Sequence, residues 1–320
     1  MTAFVAGRAG AVGKVPTRAE YLPVPTSAPG FAAFDIWLTE ATEWAALRAG
    51  SGFSLAFAQG AMHGFVFRSA TDAVDTALCG ALAPSCDSAG RLFPAALAWP
   101  LRMSLELLSR PELLPFSLEG LWAEATAALA DLMSKRSPDD AIPPVLNAGQ
   151  DAQVAEAAQL YDDWVSGLQL SELWALLGPA LASPAATLQL LLETLAPIRG
   201  KELSDTTLSL RLPLGLAGGA ALCFCIDLVR RYVGWRKTLP SFFWSHDGTN
   251  GAVLLHLGRP SKVALAELWL PNGDRDDVAD LTYPVVPAAA EAFSPLPTSV
   301  LATLRAPEGT VAELLSALSA

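Results

Sequence analysis

The sequence predicts an α/β fold of the α+β type: a mixed, largely antiparallel sheet flanked by helices. Three observations lead there. Helical stretches and short apolar runs interleave along the 320 residues without the regular strand–helix–strand rhythm of a doubly wound parallel sheet. Two pairs of apolar runs, Leu78–Ala83 with Leu92–Leu97 and Phe242–Trp244 with Val253–Leu255, are joined by segments rich in turn formers, as antiparallel neighbours are. Apolar residues make up 52% of the chain and charged ones 17%, which excludes intrinsic disorder and is enough for a sizeable core.

In chain order, residues 1–30 hold eight Gly or Pro and no apolar period, so they read as a looped lead-in. Phe31, Phe34, Leu38, Ala41 and Ala45 recur at three- and four-residue intervals, predicting a helix that Gly50 and Gly52 end. Phe53, Leu55 and Phe57 alternate with small or polar residues and read as a strand, as do Phe65–Phe67 and Leu92–Trp99. A second helix starts near Ser117, with Leu118, Leu121, Trp122, Ala125, Leu129 and Leu132 on one face.

Ser134–Ala148 combines charge, three prolines and no periodicity, and is read as a linker. It divides the chain into 1–140 and 141–320, the latter a helical and β-hairpin region free to share one core with the first. An Ala- and Leu-rich helical stretch follows to about residue 196, then a half-buried strand marked by Leu208, Leu210 and Leu212. Leu222, Phe224, Ile226 and Val229 predict a further helix. The hairpin comes next, its connection Asp247–Gly251 holding two glycines able to take positive φ. Thr310 and Glu313 form a capping-box pattern ahead of Leu314, Leu315 and Leu318, predicting a C-terminal helix.

Charge and cysteine content narrow the function. Lys and Arg number 21 against 32 Asp and Glu, and a net charge of −11 opposes docking to nucleic acid or anionic lipid. Four cysteines are too few to staple a chain of this size, and Arg8 interrupts the only candidate secretory stretch, so a cytoplasmic location is expected. Leu173–Leu192 is 20 residues long and uncharged, which is long enough to span a bilayer. Pro179 and Pro184 argue instead for two buried helices broken at Gly178-Pro179 or Ser183-Pro184.

Reactive constellations are scarce. Gly13-Lys14 lacks the spacing of a phosphate loop, which needs glycine where Arg8 stands and a hydroxyl where Val15 stands. No G-x-S-x-G elbow occurs. His246 and Asp247, with Ser241 or Ser245, are the residues on which a hydrolase alternative would rest. Cys223 and Cys225 have no second pair at zinc spacing and read as buried thiols, and Cys86 has no adjacent base. No catalytic group, metal or cofactor is expected. Arg230, Arg231, Arg236 and Lys237 form the one dense basic cluster, read either as the cationic end of a helix or as a patch for an acidic or phosphorylated partner.

Gly13-Lys14-Val15-Pro16 with Glu20-Tyr21, the block Pro84-Ser85-Cys86-Asp87-Ser88-Ala89-Gly90-Arg91-Leu92-Phe93-Pro94, and Phe224–Arg231 with Pro240–Trp244 and Gly258-Arg259-Pro260 together resemble the TagF (ImpM) family of bacterial type VI secretion systems. Ala19-Glu20 stands where that family usually has Gly-Asp, and residues 140–200 carry no resemblance. The resemblance implies a non-enzymatic cytoplasmic regulator that represses assembly or firing of the apparatus after translation, through binding to an FHA-domain protein or another system component. A structural subunit of the apparatus is a further alternative. Asp87, Gly90 and Arg91 are expected to shape a tight turn, with Phe93 and Pro94 entering the core. Lys14, Asp87, Arg91, Arg230, Arg231 and Arg236 are the candidate partner-binding residues. For the first three the deciding geometry is whether their charges lie exposed or are tied up in the turn.

Overall fold

The computed structural model describes residues 3–25, 28–69, 73–134, 154–178, 182–203, 207–236, 238–245, 251–270, 278–285, 287 and 293–319. Nine strands among them form one sheet: β1 (Phe4–Ala6), β2 (Gly10–Gly13), β3 (His63–Phe67), β4 (Thr76–Ala83), β5 (Ala95–Met103), β6 (Thr207–Pro213), β7 (Ser241–Ser245), β8 (Ala252–Gly258) and β9 (Val278–Asp280). Their order is β1-β5-β4-β3-β7-β8-β6-β9, with β2 also on β5. Every pairing is antiparallel except β6 with β9. The mixed, largely antiparallel sheet is the one the sequence predicts.

Helices cover both faces: α1 (Pro29–Ala49), α2 (Phe53–Ala58), α3 (Leu105–Ser109), α4 (Leu114–Ser117), α5 (Glu119–Ser134), α6 (Val154–Gly167), α7 (Leu170–Leu177), α8 (Pro184–Leu195), α9 (Gly218–Val233), α10 (Ala264–Trp269), α11 (Thr298–Arg305) and α12 (Val311–Leu318). One core lies between the sheet and α1, α2 and α10, and the other lies beneath α5 to α9 and the C-terminal helices. A side-chain period of two along each strand feeds both. On β4, Leu78 and Leu82 enter the first core, and Cys79 and Ala81 the second.

The two parts of the chain meet in the middle of this sheet. Phe65 of β3 registers with Phe243 of β7, and β3 and β7 are central neighbours. Beneath α1, Phe34 stacks on Phe65 at 4.9 Å and Trp37 on Phe243 at 5.1 Å, so one helix clamps a strand from each part. Each such pair contributes about 0.5–1.5 kcal/mol beyond the area it buries.

Local signals act where the sequence places them. Gly50 (φ 54) ends α1, with its N–H on the Ala46 carbonyl. The buried face of α5 is Leu121, Trp122, Ala125, Leu129 and Leu132. Both halves of the Thr310–Glu313 capping box form. Gly178 (φ 93) follows α7 and Pro184 opens α8, so the long apolar stretch is broken. Among the described residues no helix is long and apolar enough to cross a membrane.

Three expectations are corrected. The lead-in contains β1 and β2, whose pairing with β5 is carried by the backbone. Gly10 fits there because a Cβ would lie 2.3 Å from Pro25 and 2.8 Å from the Phe31 ring. Small side chains leave no alternating apolar signal. Phe53–Phe57 is helix α2 rather than a strand: Phe53 and Phe57 are buried one turn apart, while Leu55 is 67% exposed. Five residues are too few to separate period two from period four. The predicted strand at Leu92 starts instead at Ala95, and Leu92 makes only a bridge to Cys86. From residue 135 to 148 the expected linker lies outside the described residues, as do Lys237, His246 and Asp247.

Candidate functional site

The Pro84–Pro94 segment joins β4 to β5 and folds around one carboxylate. Asp87 Oδ1 accepts the backbone N–H groups of Ala89 (3.0 Å) and Arg91 (2.9 Å), while Oδ2 accepts Lys14 Nζ (3.0 Å) and Arg91 Nε (2.6 Å). The backbone closes the turn, with Gly90 N–H on the Asp87 carbonyl at 2.9 Å and Asp87 N–H on the Arg91 carbonyl at 3.1 Å. Gly90 takes φ 80, a conformation for which glycine is suited. The N-terminal segment is tied to the same corner. Ser88 N–H donates to the Arg18 carbonyl, Arg91 Nη2 to the Ala19 carbonyl, and Lys14 N–H to the Pro94 carbonyl.

The Asp87 side chain is fully buried, Lys14 is 17% exposed and Arg91 63% exposed. Burial pushes the Asp87 pKa up, but the Arg91 N–H, Lys14, the Arg91 guanidinium and the Ala89 N–H outweigh it and hold the carboxyl well below the usual range. The charges are therefore tied up in the turn. Pro94 is buried, while Phe93 stays half-buried, edge-on to Tyr21 at 5.2 Å.

The basic cluster resolves in the same way. Arg230 and Arg231 lie in the last turn of α9, and both reach back to the buried Asp227 at 2.8 Å. Arg230 Nε also lies 2.9 Å from Glu112 Oε2, and Glu112 Oε1 pairs with Arg110 Nε at 3.0 Å. Arg110 continues to Asp162 (2.8 Å), and the Tyr161 hydroxyl donates to Asp227 (3.0 Å). This network joins α9, α6 and the Pro111–Leu113 turn. Burial and the neighbouring Asp227 raise the Glu112 pKa against the pull of Arg230, and burial also raises that of Tyr161. Arg236 is exposed and lies beyond the end of α9.

Residues 10–148 match the family model for the TagF N-terminal domain, described as type VI secretion system-associated. This part of the chain is thus similar to a TagF N-terminal domain. The crystal structure of PA0076 from Pseudomonas aeruginosa PAO1 is similar at 15% identity, with a TM-score of 0.43 over 90% of this chain and 100% of that one. No curated protein sequence is significantly similar.

The matched region thus contains β2 to β5 and the corner, and its Lys14, Asp87 and Arg91 are brought together. Arg230 and Arg231 join a separate cluster in the second part of the chain. Sequence reasoning missed Glu112 and Tyr161, which lie 118 and 66 residues from their partners Arg230 and Asp227. The Asp227 pairings were missed as well, although Arg230 and Arg231 follow it by three and four residues on one helix, a spacing that could have found them.

Ser241 is buried, its Oγ accepting the Arg68 N–H at 2.9 Å and donating to the Arg68 carbonyl. His256 Nδ1 lies 2.7 Å from Ser209 Oγ inside the sheet, with both residues no more than 1% exposed. Burial lowers the His256 pKa to about 3 and that of His63 to about 4. Cys79, Cys223 and Cys225 are buried free thiols, and burial raises Cys225 to about 12. A thiol held so far from ionisation is a poor nucleophile.

Proposed function

We propose that the protein is a non-enzymatic, cytoplasmic accessory regulator of a bacterial type VI secretion system. It represses assembly or firing after translation by binding another protein of the system, and an FHA-domain component is the partner that the family resemblance implies. The observation that carries this reading is the TagF domain itself. The use of its signature charges supports only the non-enzymatic part of it: Lys14, Asp87 and Arg91 hold a corner together instead of facing an open site, so the partner is to be sought on another surface. The Ser209–His256 contact gives no support to hydrolysis, because both groups are sealed beneath the sheet surface.

The test is co-expression of the full chain with the FHA-domain protein and the other system components, followed by purification on a tag carried by this chain. Stoichiometric capture of a system component, together with reduced secretion when the protein is overproduced, is the expected result. If no component is captured while both partners are folded, the reading is wrong.

A further inference from the structure

Resting on the reading of this protein as a binding regulator, we propose that a groove between α1 and the turn after β8 is the docking site for an acidic polypeptide segment of its partner. The cavity has a volume of about 580 Å³, within the range of built ligand sites. Trp37 and Phe67, only 7% and 2% exposed, underlie its floor, Ile36, 60% exposed, forms an apolar wall, and Arg259 and Lys262 line the other side.

The two cations set the sign of the occupant. Both are exposed, and neither makes an ion pair or side-chain hydrogen bond with another described residue, unlike the guanidinium groups held by Glu112 and Asp227. In a chain with 32 acidic and 21 basic residues, two neighbouring cations left without a carboxylate leave room for one from outside. Their platform is fixed in advance. Gly258 takes φ 105 at the end of β8, and the Trp37 indole N–H donates to the Ser261 carbonyl at 3.0 Å, tying the turn to α1 across 224 residues. A prearranged site loses less entropy on binding.

Glu40, also on the groove, sets the class of ligand. Its carboxylate opposes a ligand that is anionic throughout, but accepts a backbone N–H. An extended segment with carboxylates toward Arg259 and Lys262, and an aliphatic side chain between Ile36 and Trp37, satisfies all of these groups.

The experiment titrates the full chain with a short dye-labelled peptide of Glu and Leu, followed by fluorescence anisotropy. A Lys and Leu peptide and an otherwise uncharged phosphoserine peptide serve as comparisons. Salt-sensitive binding of the acidic peptide, weakened about tenfold or more in an R259E/K262E variant with unchanged circular dichroism, supports the proposal. Absence of binding, equal binding by the variant or of the Lys peptide, or binding of the phosphoserine peptide alone overturns it. The same variant then enters the co-purification. Capture of a system component by wild type and variant alike sinks the groove and leaves the regulator standing. Absence of capture by the wild type sinks the regulator, while the peptide titration still judges the groove.

Discussion

Lys14 and Asp87, 73 residues apart, meet at 3.0 Å with the Asp87 side chain wholly buried and each of its oxygens accepting two donors. The contact fastens the N-terminal segment to the β4–β5 corner. It also explains why a family signature can be rich in charge without presenting a reactive group.

Asp87→Ala should lower the melting temperature by several degrees, because it strands Lys14 and two backbone N–H groups at once. Asp87→Asn keeps an oxygen acceptor for the N–H groups and loses only the charge, so its loss should be smaller. Differential scanning calorimetry separates the two, and equal losses would mean that the backbone bonds contribute little.

Two glycines in the same corner differ instructively. A Cβ on Gly13 (φ 102) would lie 1.9 Å from the Pro94 carbonyl oxygen, whereas one on Gly90 (φ 80) would meet no atom within 4 Å. Gly13→Ala is therefore expected to cost about 3 kcal/mol or more, and Gly90→Ala about 1 kcal/mol from backbone strain alone. Urea denaturation of both variants provides the comparison.

Within the α9 network, Glu112→Ala leaves Arg110 and Arg230 with one carboxylate fewer in a part-buried site, and a loss of about 3 kcal/mol is expected. Tyr161→Phe removes a single donor to Asp227 and should cost about 1.5 kcal/mol. A double-mutant cycle between Glu112 and Arg230 should return a coupling of about 1 kcal/mol or more, and a coupling near zero would show that the pair acts independently.

His256 and His63 make stability depend on pH. Both are buried, and their pKa values fall from 6.5 to about 3 and about 4. Below 6.5 the unfolded chain binds protons that the folded chain refuses. Stability is thus complete above that value and declines as the pH falls towards 4, at about 1.4 kcal/mol per pH unit for each fully titrating histidine. His256→Gln should flatten this slope by about one proton between pH 4 and 6. An unchanged slope would show that this histidine does not titrate on unfolding.

Much of this protein was legible from spacing alone, wherever the deciding interaction is local. Phe31 to Ala45 marked α1, Leu121 to Leu132 marked α5, and Thr310 with Glu313 capped α12. In each case partners three or four residues apart carry the signal. The antiparallel character of the sheet was legible in its turns, and the Asp87 corner in its density of turn formers. Strands built of Gly and Ala, such as β2, gave no signal, because backbone pairing with β5 decides them and side-chain pattern does not.

Only the tertiary structure decided that β3 pairs with β7, making one sheet from two parts of the chain. It also decided that Arg230 faces Glu112 and that Trp37 meets Ser261 to frame a groove. The reason is physical. A helix cap or turn is chosen by atoms a few bonds apart, but which strand lies beside which depends on burying both faces of the whole sheet at once.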